Sequence, residues 1–315
     1  MHLVIPSYEK HIHWNEKFLK SFNKFCADKS DVEITFVCNQ SNVDLFNGLT
    51  KKFKKLNVRS QTLTHLIQSV DQVYFDDSPF NFPTKYPLQS LKKLFTFSST
   101  NADYLVIDSE NVCLKDFYFH EIFESIKNQK IKADSRLVGE LQNEVAKNCN
   151  ELIDFNPKQW LFLDSYWFFE KDFVELLLNE LRQINKTPSV HSLLKNRTFF
   201  EYQLYASFLI KKSLIQTIDV NEILRESNEL RSNLEKSPNN YEYIGATVTK
   251  ETWSDYISLL NRLNARITRL HWMHPDFAKA IVKNTNVCIG TYHEPRKNLI
   301  TKARTLSESI YRTRL

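Results

Sequence analysis

The chain has 315 residues, 42% of them hydrophobic, with 42 basic and 37 acidic side chains, a formal net charge of +5 and 4 glycines. That is enough apolar sequence to bury a core in one large domain, or one domain with a helical extension. The charge is too mild for a dedicated nucleic-acid binder, so no nucleic acid is expected as a partner. No GxGxxG and no GxxxxGK[ST] occurs, which argues against a Rossmann fingerprint or a P-loop. The five cysteines (Cys26, Cys38, Cys113, Cys149, Cys288) form no CxxC pair. They read as reduced core thiols of a cytosolic protein rather than a zinc site. MHLVIPSYEK has neither the basic start nor the apolar core of a signal peptide, and no run approaches ~20 apolar residues. A cytoplasmic chain without a membrane span is therefore expected.

In chain order, LVIPS (3–7) reads as a buried opening strand. A helix with Trp14, Phe18, Phe22 and Phe25 at helical spacing follows. VEITFVC (32–38) alternates as a second strand. Asp44 caps a helix carrying Leu45, Phe46, Leu49, Phe53 and Leu56, and a short strand is expected near 58–63. This alternation predicts a mostly parallel, doubly wound α/β sheet. Residues 74–88 contain three prolines and no period, and read as a loop. A helix over 89–98 leads into a strand at 103–107. Beyond 150, WLFLDSYWFFEKDF is extended and aromatic. Helices are expected at 171–184, 200–215, 220–235 and 251–264, so the chain runs from α/β in front to helical behind.

The strand YLVI ends in Asp108-Ser109-Glu110. In extended chain, residues i and i+2 point the same way, so both carboxylates can aim at one point past the strand's end. In open α/β sheets ligands bind at that edge. Two carboxylates there suit a hard divalent cation, Mn²⁺ or Mg²⁺, bridging the diphosphate of a nucleotide. The plain alternative is a solvated turn, for which Asp and Ser are common residues.

The succession of a strand ending VIPSY, helix, strand, helix, the QSLKKL helix and YLVIDSE resembles the nucleotide-diphospho-sugar glycosyltransferases of the GT-A fold. More narrowly, it resembles the bacterial enzymes of that fold that build surface polysaccharide and lipooligosaccharide. The likeness covers residues 1–125 and is looser beyond. It implies a metal–diphosphate "DXD" motif on Asp108, Ser109 and Glu110. Glu stands where the commonest form has Asp, so direct and water-bridged metal contact by Glu110 both stay open. It also implies that Pro6, Ser7 and Tyr8 contact the nucleotide, with Tyr8 stacking on the base; otherwise they are a strand-ending turn. A late histidine completes the metal shell in many such enzymes. His271 fills that place here, with His274 and His293 as further options and structural histidines as the alternative.

Lys92 and Lys93, on the helix before the acidic strand, either reach a phosphate or lie on a solvated face. Asp76 and Asp77 form a second acidic pair, for which turn capping is the simpler role. In glycosyl transfer with inversion a carboxylate takes the acceptor's proton. Glu201, in TFFE, and Asp164, among Trp160, Tyr166 and Trp167, are the candidates. Thr198 and Glu201 also fit a capping box, and the aromatics fit a core.

Residues 1–125 are thus read as a nucleotide-sugar-binding half, 126–294 as the helix-rich acceptor half of the same domain, and 295–315 as a basic tail. The tail has six basic residues against Glu308, with apolar residues at roughly helical spacing, and suits an anionic membrane surface or a packed helix. The expected activity is metal-dependent transfer from a nucleotide-sugar, UDP-linked by default, to a bacterial glycan or glycolipid, at the inner face of the cytoplasmic membrane. Two alternatives are a nucleotidyltransferase and a non-catalytic module binding membrane or nucleic acid. The first is disfavoured because VIPSYEKH lacks the glycine of its loop.

Overall fold

A computed structural model describes residues 1–78, 86–134, 140–156, 160–161, 166–195, 199–236, 248–270 and 273–291. The front of the chain forms β1 (His2–Pro6), α1 (Ile12–Phe25), β2 (Glu33–Cys38), α2 (Val43–Lys52), β3 (Asn57–Thr62), α3 (Leu63–Asp71), α4 (Tyr86–Phe95), β4 (Tyr104–Ile107), β5 (Val112–Cys113) and α5 (Phe119–Lys127). Behind it come β6 (Ile131–Asp134), α6 (Glu140–Ile153), β7 (Trp160–Leu161), β8 (Tyr166–Phe169), α7 (Lys171–Asn185), α8 (Ser189–Lys195) and α9 (Glu201–Lys211). Then follow β9 (Thr217–Asp219), α10 (Val220–Ile223), α11 (Asn228–Lys236), α12 (Trp253–Arg262), β10 (Ile267–Thr268), α13 (Pro275–Asn284) and β11 (Ile289–Gly290).

Among the described residues, the central sheet has the order β3-β2-β1-β4-β8. The first four strands are parallel, and β8 runs antiparallel along β4, with Ile107 opposite Tyr166 and Tyr104 opposite Phe169. β1, β2 and β4 are covered on both faces, which is why they read as near-continuous apolar runs, whereas the edge strand β3 is polar and part-exposed. Leu3, Ile5, Ile34, Phe36, Leu105 and Ile107 pack with Phe18, Phe22, Phe46 and Phe119 from α1, α2 and α5. Val4, Val37, Tyr104, Val106 and Trp167 face Leu66, Leu91, Leu177 and Leu204 from α3, α4, α7 and α9. The protein is thus α/β, a mostly parallel sheet flanked by helices, with a helix-rich second half.

A smaller sheet, β10-β11-β5, follows the acidic turn, and a third, β7-β6-β9, lies in the second half. The five cysteines are free and buried. Among the described residues no helix is long and apolar enough to cross a membrane.

Some boundaries differ from the sequence expectation, each for a local reason. The helix expected at 220–235 is two helices, because the Ser227 hydroxyl accepts the Leu230 amide at 3.2 Å and starts α11 afresh. The helix expected to reach 215 ends at Lys211. Ser213 turns left-handed (φ 56°), and the Leu214 amide closes onto the Leu209 carbonyl at 2.9 Å. Residues 79–85 of the expected loop lie outside the described residues, and α4 begins at Tyr86.

Candidate active site

Because β1, β2 and β4 are parallel neighbours, their C-terminal ends open on one edge. There they deliver Pro6, Ser7 and Tyr8, then Asn39, then Asp108 and Ser109. Pro6 is the last residue of β1, paired with Val37, and Ser7 donates its amide to the Val37 carbonyl at 2.9 Å. The short turn after Tyr8 brings His11 to the start of α1 and against the acidic turn. His11 Nε2 lies 2.6 Å from the Tyr8 hydroxyl. Its Nδ1 lies 2.6 Å from Ser109 Oγ and 3.3 Å from Glu110 Oε1. The Ser109 hydroxyl donates in turn to Glu110 Oε2 at 3.2 Å. With the Ser109 hydroxyl donating to Glu110, Nδ1 is the donor to Ser109. Burial, then the charges of Glu110 and Glu9, push the Tyr8 phenol up.

Asp108 is held from the far end of the chain: Arg269, directly after β10, donates Nη2 to Asp108 Oδ2 at 2.9 Å. Asn111 donates Nδ2 to the Asp108 carbonyl at 2.9 Å and closes the turn. The acidic pair therefore lies on a turn fixed from three directions.

Lys92 and Lys93 are not on a solvated face. Lys92 is buried, and its ammonium donates to the Ser7 carbonyl at 2.7 Å and to Asn39 Oδ1 at 2.6 Å. Burial lowers its pKa to about 8 against the opposing charges of Cys38 and Asp77. Asn39 also bonds to the Asp77 carbonyl, while the Asp77 carboxylate accepts the Gln40 amide at 2.9 Å. Asp76 accepts from the Ser78 amide at 3.0 Å. Asp76 thus caps its own turn, whereas Asp77 reaches across to the backbone after β2 and frames the lysine.

Lys93, one residue on, points to a different partner. It pairs with Glu201 Oε1 at 2.6 Å and lies 3.4 Å over the Trp167 ring, while the Ser90 hydroxyl donates to Glu201 Oε2 at 2.6 Å. Glu201 is the first residue of α9 and is buried. Phe200 occupies the cap position without a side-chain cap, and Thr198 lies outside the described residues. Trp167 is core, whereas Tyr166 is half-buried beside Ile107 and lines a cleft of about 60 Å³ with Gln129, Phe168, Glu170 and Tyr202. Asp164, His271 and His293 lie outside the described residues. His274 is present as the N-cap of α13.

Local patterns gave little sign of His11, Asn39 and Arg269. His11 sits three residues after Tyr8, one turn away. Nothing in the sequence around Arg269 points to Asp108, 161 residues before it.

The turn carries oxygen donors of the kind a hard cation takes, but residues 108–111 form a turn rather than extended chain, and Asp108 faces Arg269 while Glu110 faces His11, so the expected shared aim of the two carboxylates is not met. Two half-exposed carboxylates and a hydroxyl occur within three residues, and hard cations take oxygen ligands. Two buried amide oxygens nearby, Asn15 Oδ1 and Asn111 Oδ1, have no hydrogen-bond donor. Among the described residues no group of three or more His, Cys, Asp or Glu is placed to hold a metal.

No protein-family model and no curated relative matches the sequence. Among solved structures, mouse xyloside xylosyltransferase 1 in its apo form overlaps at a TM-score of 0.42 and 11% identity, over 77% of this chain and 93% of that one. The galactosyltransferase LgtC with donor and acceptor sugar analogues overlaps at 0.35 and 10% identity, over 64% and 72%. The 4-diphosphocytidyl-2C-methyl-D-erythritol synthase of Anaerococcus prevotii overlaps at 0.37 and 10% identity, over 69% and 87%. At such scores the overlaps carry nothing about chemistry.

Proposed function

We propose that the protein is a glycosyltransferase that moves a sugar from a nucleotide-sugar to a bacterial surface glycan or glycolipid. The observation that carries this reading is the meeting, at the C-terminal edge of β1, β2 and β4, of a two-carboxylate turn with the end of the first strand. Asp108 and Glu110 are the residues to hold Mn²⁺ or Mg²⁺, with His271 as a further ligand on the family resemblance. When bound, the cation supplies positive charge to the diphosphate and to the leaving group.

The chain's own residues do the rest. Tyr8 offers an aromatic face to the base, and Pro6 and Ser7 form the floor beneath it. Lys92 holds the Ser7 carbonyl and Asn39, so it shapes the nucleotide end without spending its ammonium on phosphate. Ser109 and His11 fix the rotamer of Glu110. Glu201 and Asp164 are the carboxylates assigned to the acceptor or the transferred sugar. For Glu201 this role requires Lys93 to share it. The basic segment 295–315 is assigned to an anionic membrane surface.

The test is thermal stability with UDP, GDP, CDP and CMP, each with and without Mn²⁺, on wild type, Asp108→Ala and Asp108→Asn. A ligand at a hundred times its Kd adds about 2.7 kcal/mol, or about 4 °C at this chain length. One nucleoside diphosphate is expected to raise the melting temperature only with Mn²⁺, and neither variant is expected to respond. A folded wild type indifferent to every nucleotide refutes the reading.

A further inference from the structure

We infer that Asn15 is a positioning residue for the nucleotide end of the site: from inside α1 it ties Ser7 to His11, and so sets the turn that carries Tyr8 to the acidic edge. The inference rests on the glycosyltransferase reading for the identity of the ligand.

Geometry is the first support. Asn15 is fully buried on α1, and its Nδ2 donates to the Ser7 hydroxyl at 2.6 Å and to the His11 carbonyl at 3.0 Å. A carbonyl can only accept, so the orientation of the amide is fixed. One side chain thus joins the two ends of the turn 7–11. Within that turn the His11 amide closes onto the Tyr8 carbonyl at 3.0 Å, and the Tyr8 and His11 rings lie 4.1 Å apart. Ser7 is held from two further elements. Its amide donates to the Val37 carbonyl of β2 at 2.9 Å, and its carbonyl accepts from Lys92 of α4 at 2.7 Å. Amide, carbonyl and hydroxyl of this buried serine are all engaged, so Ser7 acts on a ligand through the chain it anchors. That chain leads to Tyr8, and through His11 Nδ1 to Ser109.

Energetics is the second support. Asn15 shares the buried face of α1 with Phe18, Leu19 and Phe22. Its Oδ1 is buried with no hydrogen-bond donor, a desolvation cost that no bond offsets. Asparagine also favours a helix interior less than alanine does. Alanine at this position would remove both costs, so what the side chain contributes is its two N–H bonds, and both end on the turn.

The test is a double-mutant cycle on the full chain: wild type, Asn15→Ala, Ser7→Ala and the double variant. Calorimetry would measure UDP, GDP and CDP at saturating Mn²⁺, and thermal melts without nucleotide would measure stability. Without the tie, a ligand must order the turn itself. The nucleoside diphosphate that wild type binds is therefore expected to bind roughly five- to a hundredfold weaker to Asn15→Ala, the worth of two neutral hydrogen bonds. The melting temperature is expected to stay within about 3 °C of wild type. Ser7→Ala loses one oxygen and is expected to weaken the same diphosphate roughly two- to tenfold. The double variant is expected to bind no weaker than Asn15→Ala, because the two residues act through one bond. Unchanged affinity in Asn15→Ala, whatever its melting temperature, makes Asn15 a structural brace and overturns the inference. So do losses that multiply in the double variant, because Ser7 and Asn15 then act separately. Should Asn15→Ala fail to fold, Ser7→Ala decides alone, and an affinity equal to that of wild type overturns the inference. If wild type binds none of the three, the glycosyltransferase reading falls and takes this inference with it.

Discussion

Replacing Glu201 by alanine removes a carboxylate that is 4% exposed and that accepts from Lys93 Nζ and Ser90 Oγ, both at 2.6 Å. The ammonium left behind is still buried, over the Trp167 ring at 3.4 Å. The indole stabilises it in wild type and variant alike, so it cannot replace the lost counter-charge. Removing one partner of a buried pair costs about 3–5 kcal/mol. At the usual ~2.1 cal/mol/K per residue, a chain of this length unfolds with about 0.66 kcal/mol/K of entropy. The melting temperature of Glu201→Ala is therefore expected to fall by about 5–8 °C. The double variant Glu201→Leu/Lys93→Met removes both charges and keeps apolar volume, so it is expected to recover most of that loss. Differential scanning calorimetry at pH 7 on wild type, Glu201→Ala, Glu201→Leu, Lys93→Met and the double variant reads the coupling directly. A Glu201→Ala protein melting within about 2 °C of wild type would refute the reasoning. A double variant no better than the singles would show that the stabilisation is not ionic.

Acid gives a second test. His2 is buried against Thr35 Oγ1 at 2.8 Å, and burial, then the charges of Arg59 and the N-terminal amine, hold its pKa at about 4. The unfolded chain binds this proton near 6.5, so the stability is intact above 6.5 and is lost as pH falls from 6.5 towards 4, by about 3 kcal/mol in all. Urea midpoints between pH 4 and 7 are expected to show a shallower loss in His2→Gln; parallel curves would clear His2. The small sheet gives a third. Gly290→Ala places its Cβ 2.7 Å from a backbone oxygen and is expected to cost about 1–3 kcal/mol. Amide exchange is expected to quicken in β10 and β11 before the central sheet, and unchanged exchange there would show that the strands do not need the close approach.

The middle of the central sheet was legible because β1, β2 and β4 are covered on both faces and the flanking helices have apolar stripes. VEITFVC and YLVI carry the first signal, and Phe18 with Phe22 the second. Asp108-Ser109-Glu110 was legible as a candidate because strand periodicity places it at the edge. The partners of the site were not. The two lysines of QSLKKL look solvated by composition, but α4 packs against the sheet and against α9 and takes both ammonium groups inside. Nothing local pairs Lys93 with Glu201, 108 residues away. Nor does anything near His11 point to Ser109, because tertiary packing decides these contacts and no periodicity encodes them.

The separations also set an order of events. Asp108 meets its guanidinium across 161 residues of sequence, and Ser109 meets His11 across 98. During synthesis at ~5–20 residues per second, the first four strands are complete while Arg269 is still roughly 10–30 s from being made. In that interval the carboxylate on β4 has its sheet but not its guanidinium. The final pairing of β10 and β11 onto β5 supplies it, so late steps of maturation of the chain also complete the site. A chain interrupted between α9 and β10 would keep the central sheet and display an uncompensated acidic turn.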